Sequence, residues 1–165
     1  MELLYFIVDL LENKVVFFYF FFLIAMFLIP VVHKTRIKIK IKKLASDSKE
    51  ITPDEFFKLR NASNGKRGHI STNQDFSGVY ILYNHTKKLY YVGQGQKLFQ
   101  RVNQHFTGHG NGDVYADYKY GDVFTIRMIA LKNSGFKTLN ELERNAISTY
   151  NSYYKGYNKT RGNRG

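Results

Sequence analysis

A chain of 165 residues without a cysteine excludes disulfide scaffolds, thiolate zinc sites and cysteine nucleophiles. Its 25 Lys+Arg against 13 Asp+Glu give a net charge of +12, which favours a polyanionic partner, either nucleic acid or an anionic membrane surface. The length suits one domain of ~100 residues plus an appendage.

The leading segment, residues 1–14, carries Glu2, Asp9 and Glu12 against Lys14 alone. Residues 15–32 follow as VVFFYFFFLIAMFLIPVV, 18 residues without a charge. As a helix this run would span ~27 Å, close to the ~30 Å hydrocarbon core of a bilayer. A buried core helix is disfavoured because the run has no polar face and the domain after it is too small to enclose it. A cleaved signal peptide is disfavoured by the acidic lead and by the lack of a small-residue cleavage site. The stretch is predicted to be a retained, single-pass transmembrane helix, leaving residues 1–14 as a short extracytoplasmic N-terminus.

Residues 33–43 hold six Lys/Arg in eleven positions. The positive-inside bias therefore puts the C-terminal portion on the cytoplasmic side of the cell membrane. Each cation near the surface contributes about 1 kcal/mol toward anionic lipid headgroups. A nucleic-acid arm is the rival use of this stretch, and its alternating Ile37, Ile39 and Ile41 leave a short strand open. Thr52-Pro53-Asp54-Glu55 reads as a helix start with a capping box, continuing through Phe56, Phe57 and Leu59 to about Arg60. Residues 61–75 are polar, with two glycines, and read as a loop whose Lys66 and Arg67 face a phosphate or solvent. Residues 33–75 are thus a basic juxtamembrane stretch, a short helix and a linker.

Gly78–Tyr83 and Lys88–Gly93 read as strands joined by the turn chemistry of Asn84-His85-Thr86-Lys87. Pairing Tyr83 with Lys88 sets Leu82 opposite Leu89, Tyr80 opposite Tyr91 and Gly78 opposite Gly93, so both phenols share one face. A helix is predicted over roughly Lys97 to Phe106, with Arg101 and His105 four apart on one side of it. Two phenols, a guanidinium and an imidazole brought together suit a phosphodiester. Thr107 to Gly121 reads as a long loop holding at most one short helical turn, with His109 as a solvated neighbour of the site. Asp122–Leu131 reads as a third strand.

Thr138 to Ser152 is a second helix, opened by a capping box that gives Glu141 a structural task. On a wheel of 100° per residue Leu139, Leu142, Ala146, Ile147 and Tyr150 form one apolar face, and Glu143 falls inside it. A carboxylate there is costly unless it is ion-paired, for instance to Arg101, or bound to a metal. Residues 78–165 alone hold 13 basic and 5 acidic side chains, so the distal half is itself positively charged.

The ordered set Gly78-Val79-Tyr80, Tyr91-Val92-Gly93, Arg101, His105, Glu143 and Asn158 resembles the GIY-YIG nuclease family over residues 76–160. The resemblance implies a small α/β domain: a three-stranded, mostly antiparallel sheet flanked by helices, here preceded by one transmembrane helix. It implies metal-dependent hydrolysis of a phosphodiester, with Tyr80 as general base and His105 taking up or orienting the phenolic proton. Tyr91 and Arg101 would hold the scissile phosphate and Glu143 would bind one Mg²⁺ (or Mn²⁺), with Gly78, Gly93 and Asn158 supporting. Many members carry a Lys directly after the second tripeptide, where this chain has Gln94. Nucleic acid is the implied substrate, DNA ahead of RNA. With no separate recognition domain visible, a protein partner is the natural source of strong specificity. The alternative is a non-catalytic nucleic-acid-binding module held at the membrane. Residues 161–165 form a basic tail.

Overall fold

The computed structural model describes residues 1–12, 14–62 and 75–163. Lys66 and Arg67 lie outside the described residues. The chain forms two compact units, Met1–Ile39 and Lys40–Gly165.

In the first unit, helix α1 spans Glu2–Glu12 and helix α2 begins at Lys14. The apolar part of α2 is hydrophobic on every side and none of it is buried, with Phe18 75 % and Phe27 76 % exposed. By length and composition it is a candidate membrane span. Pro30 lies inside it, removing one backbone donor. The basic stretch is not a strand: α2 continues through it as one helix to Asp47.

The second unit begins with the last turns of α2. Ile41 and Ala45 are buried in it, and Arg127 donates to the carbonyls of Ala45 and Ser48 at 2.8 Å, satisfying acceptors that a helix C-terminus leaves open. Helix α3, Pro53–Ala62, starts at the expected capping box: Glu55 N donates to Thr52 Oγ1 and Thr52 N to the Glu55 carboxylate. Its Phe56 is fully buried and stacks on Phe99.

Strands β1 (Gly78–Asn84), β2 (Leu89–Gly95) and β3 (Phe124–Ala130) form an antiparallel sheet in the order β2-β1-β3. Helices α4 (Leu98–Phe106), α5 (Gly112–Lys119) and α6 (Leu139–Tyr150) flank it. This is the small α/β architecture expected of the family resemblance. The hairpin register differs from expectation by two residues: Tyr80 pairs with Gly93, Leu82 with Tyr91 and Gly78 with Gly95. The cause lies in the turn. Asn84 Oδ1 accepts the N–H groups of Thr86 and Lys87, so Asn84 closes the ladder opposite Leu89 and the loop is His85–Lys88, with Lys88 at φ 59°. A shift of two preserves the face of every side chain, so Tyr80 and Tyr91 stay on one side as diagonal neighbours.

The supposed loop after Phe106 contains a two-turn helix, α5. Asn111 caps it by accepting from Val114 N, while buried Val114 and the Tyr118 ring, edge-on to Phe106 and Phe124, hold it to the core.

Candidate active site

The two faces of the β1–β2 hairpin meet different helices. Tyr80 and Tyr91 face α4, where both rings contact the His105 imidazole at centroid distances of 5.3 and 4.7 Å. Tyr90 and Gln94 face α6 through Tyr150, Asn140 and Glu143. All four residues predicted to handle phosphate and proton sit on the first side. The predicted metal ligand sits on the second.

Helix α4 has no cap of its own, since Lys97 makes no side-chain cap bond. Asp75 supplies one from 24 residues away: its carboxylate accepts from Phe99 N at 2.9 Å and Gln100 N at 3.2 Å. This fixes the start of the helix that carries Arg101 and His105. Buried Leu98, Val102 and Phe106 turn one side of α4 into the core, and His105, between the last two, is drawn in with them.

Tyr80 Oη lies 2.7 Å from His105 Nε2, and Tyr80 is 0 % exposed. Burial raises its phenol pKa well above the ordinary value; the neighbouring Tyr91 adds to this, and Arg101 opposes it. Tyr91 is half-buried, and its phenol is raised by burial and by the Glu143 charge, against the hydrogen bond from Tyr80 and the Arg101 charge. Burial, reinforced by Arg101, pushes His105 down to about 4, so it is neutral at physiological pH. Arg101 is exposed at the mouth and donates to Gln104 Oε1 at 2.6 Å. His109 is exposed. Gly93 makes the arrangement possible, because a Cβ there would collide with the Tyr80 hydroxyl.

Glu143 is 8 % exposed. Gln94 Nε2 donates to its Oε2 at 3.1 Å, and Asn163 N does so at 3.3 Å. Both donors are neutral. Among the described residues no basic side chain forms an ion pair with it, and Arg101 acts on it only at longer range. Burial consequently lifts its pKa, against the pull of the Asn163 N–H and Gln94. Gln94 orients the carboxylate without neutralising it, which a Lys at that position would do. A buried, oriented and uncompensated carboxylate with no donor on Oε1 among the described residues fits a hard divalent cation that keeps most of its waters. Among the described residues there is no cluster of three or more His, Asp or Glu, so this would be a single-carboxylate site.

Asn158 clamps the outer edge of β2. Its Oδ1 accepts from Val92 N at 2.9 Å and its Nδ2 donates to Val92 O at 2.7 Å, replacing the strand partner an edge lacks. Gly78 opens β1 between Gly95 and Ala130. Glu141, by contrast, works on the helix start: its N–H donates to Thr138 Oγ1 and its carboxylate accepts from Lys137 N.

The GIY-YIG catalytic domain family matches residues 76–158, half of the chain, with both tripeptides, Arg101, His105, Glu143 and Asn158 inside the match. The chain belongs to the GIY-YIG family. No curated protein and no solved structure matches it. A GIY-YIG domain carries a nuclease-type fold, and the hairpin here is its centre. Four contributors to this GIY-YIG site escape a reading of motifs: Asp75, Gln94 as a tether, the Asn111 backbone and Asn163. Only Gln94 left a signal in the sequence, as a departure from the usual Lys.

Proposed function

We propose that this protein is a membrane-tethered, metal-dependent endonuclease that hydrolyses nucleic-acid phosphodiester bonds, DNA more readily than RNA. The observation that carries it is the Tyr80–His105 bond of 2.7 Å with Tyr91 and Arg101 beside it, inside a GIY-YIG match.

Tyr80 acts as general base toward the attacking water, which reaches its oxygen from the Tyr91–Arg101 side. A phenol with an ordinary pKa near 10 serves near neutrality only when donors and cations favour its anion. Arg101 grips an equatorial phosphate oxygen with its planar fork, and Tyr91 holds the same phosphate. Glu143 would hold one Mg²⁺ or Mn²⁺, and when bound the cation supplies Lewis-acid polarisation of the phosphate and charge neutralisation. Gln94 and the Asn163 N–H keep the carboxylate aimed. Two cations ~4 Å apart would need more carboxylates than this site offers. A substrate complex holding two ions would refute the scheme.

The apolar part of α2 anchors the chain in the membrane, with the basic 33–43 stretch against anionic headgroups and the second unit on the cytoplasmic side. A protein partner supplies strong sequence specificity. Full-length protein in detergent, given Mg²⁺ and single- or double-stranded DNA and RNA, should cleave at least one of the four. Cleavage of none, with binding retained, would favour the non-catalytic module, the reading that the complete burial of Tyr80 supports. The full chain should stay with membranes through a high-salt wash, and its C-terminus should resist external protease in intact cells. A soluble chain or a cleaved C-terminus would overturn the anchor.

A further inference from the structure

His105 has both ring nitrogens engaged, and the two bonds are not equally free to reverse. Nδ1 lies 3.0 Å from the backbone N of Asn111, whose N–H points at it. A peptide N–H can only donate, so Nδ1 must carry the lone pair. A neutral imidazole has one proton, and here it can only be on Nε2. Nε2 is the atom 2.7 Å from Tyr80 Oη.

We propose that the loop before α5 locks His105 as the Nε2–H tautomer, so that the imidazole donates to Tyr80 Oη and the phenol's own proton turns toward Tyr91 Oη. His105 is then not the sink for the phenolic proton. Accepting it would leave a proton on Nδ1 as well, head-on to the Asn111 N–H. Its contribution is an N–H bond to the phenolate, which favours the charged form. Each turnover moves one proton from the attacking water to the Tyr80 phenolate. The phenol then passes a proton by way of Tyr91 Oη to bulk water, the departing alkoxide takes a proton from water, and the charge of His105 does not change.

The loop is built to hold this contact. Asn111 Oδ1 caps α5 through Val114 N, Asn111 Nδ2 donates to Tyr157 O, and His109 N donates to Gln104 O. Gly110 passes so close that a Cβ would come within 2.7 Å of His105 Nδ1 and 2.8 Å of its Cα. Asn111 and Gly110 are thus positioning residues acting through His105. The consequence for rate rests on Tyr80 being the general base; the tautomer itself does not.

The test is ¹⁵N NMR of full-length, ¹⁵N-histidine-labelled protein in detergent around neutral pH, with the His105 signals assigned by their loss in His105→Gln. An unprotonated, hydrogen-bonded Nδ1 and a protonated Nε2 are expected. A proton on Nδ1, or averaging between the two forms, overturns the proposal. Two variants isolate the backbone donor. Asn111→Ala loses the cap and keeps the N–H. Asn111→Pro loses both, at a φ of −75° that the proline ring accepts. The alanine variant should keep the native tautomer. The proline variant should show a mixture and cleave about tenfold more slowly than the alanine variant, less than the ~10²–10⁴ that losing a general base outright costs. Identical His105 spectra in the two variants would also overturn it. A fixed Nε2–H in a protein that cleaves nothing would sink the nuclease assignment and leave this one standing.

Discussion

The two helices packed on the hairpin treat their ionisable groups in opposite ways. On the α4 side, burial keeps Tyr80, Tyr91 and His105 uncharged, and they satisfy one another by hydrogen bonds. On the α6 side a lone carboxylate is buried among neutral donors. The first side is a finished network. The second keeps a charged group among donors that orient it without neutralising it. The two sides are electrostatically joined, since the Glu143 charge raises the Tyr91 phenol and Arg101 acts on Glu143.

The largest effects should come from breaking either side outright. Tyr80→Phe keeps the ring and removes the base, and should slow single-turnover cleavage by ~10²–10⁴. Glu143→Gln should be as severe while raising stability at neutral pH, because it removes an uncompensated buried charge. Titrating Mg²⁺ should raise Tm in the wild type and not in Glu143→Gln. A Glu143→Gln protein that still cleaves, or that shows the same Mg²⁺ response, would place the cation elsewhere. Arg101→Lys, which keeps the charge but not the fork, should lower the rate by ~10²–10³.

Acid should sharpen the contrast, since the two sides respond with opposite sign. His105 has a folded pKa of about 4 against an ordinary 6.5, so the unfolded chain takes up its proton first. Stability is then lost as pH falls from about 6.5 to about 4, by about 3 kcal/mol at most. Glu143 has a raised folded pKa, so its carboxylate destabilises above that value and protonation on acidification gives stability back. Urea unfolding of His105→Gln should show less acid sensitivity than the wild type, and Glu143→Gln more. The smallest effect belongs to Glu141→Ala, which should cost about 0.5–2 kcal/mol through the helix cap and leave cleavage unchanged. Loss of cleavage in that variant would mean that the wrong glutamate faces the site.

What could be read from the chain divides by distance. Strand faces, the Thr52–Glu55 capping box, the Thr138 cap and the placement of Glu143 on the buried side of α6 depend on residues within a few positions, and they match the structure, although the Glu141 carboxylate reaches Lys137 N instead of Thr138 N. The hairpin register differs by two from the expected pairing because the Asn84 side chain, itself part of the expected loop, closes the ladder instead. Helix α5 is longer than the one short turn expected there because its signals are modest: one Asn cap and Val114–Tyr118 on its inner face. The Asp75 cap on α4 and the Asn158 clamp on Val92 join residues 24 and 66 positions apart, and no local pattern announces them. The start of the second unit at Lys40 was equally hidden, since Ile41 and Ala45 sit in a stretch that reads as basic flank. A soluble fragment cut at residue 45 would delete Ile41 from the core.

The Asn158 clamp also has a bearing on timing during synthesis. The strand carrying the second tyrosine leaves the ribosome well before the residue that pairs with its outer edge. Until Asn158 emerges, Val92 has no edge partner, and until Asn163 follows, the Glu143 carboxylate lacks one of its two donors. A nascent chain would therefore carry an unclamped β2 edge and a half-oriented carboxylate until residue 163 emerges. A premature stop before residue 158 would leave both permanently incomplete.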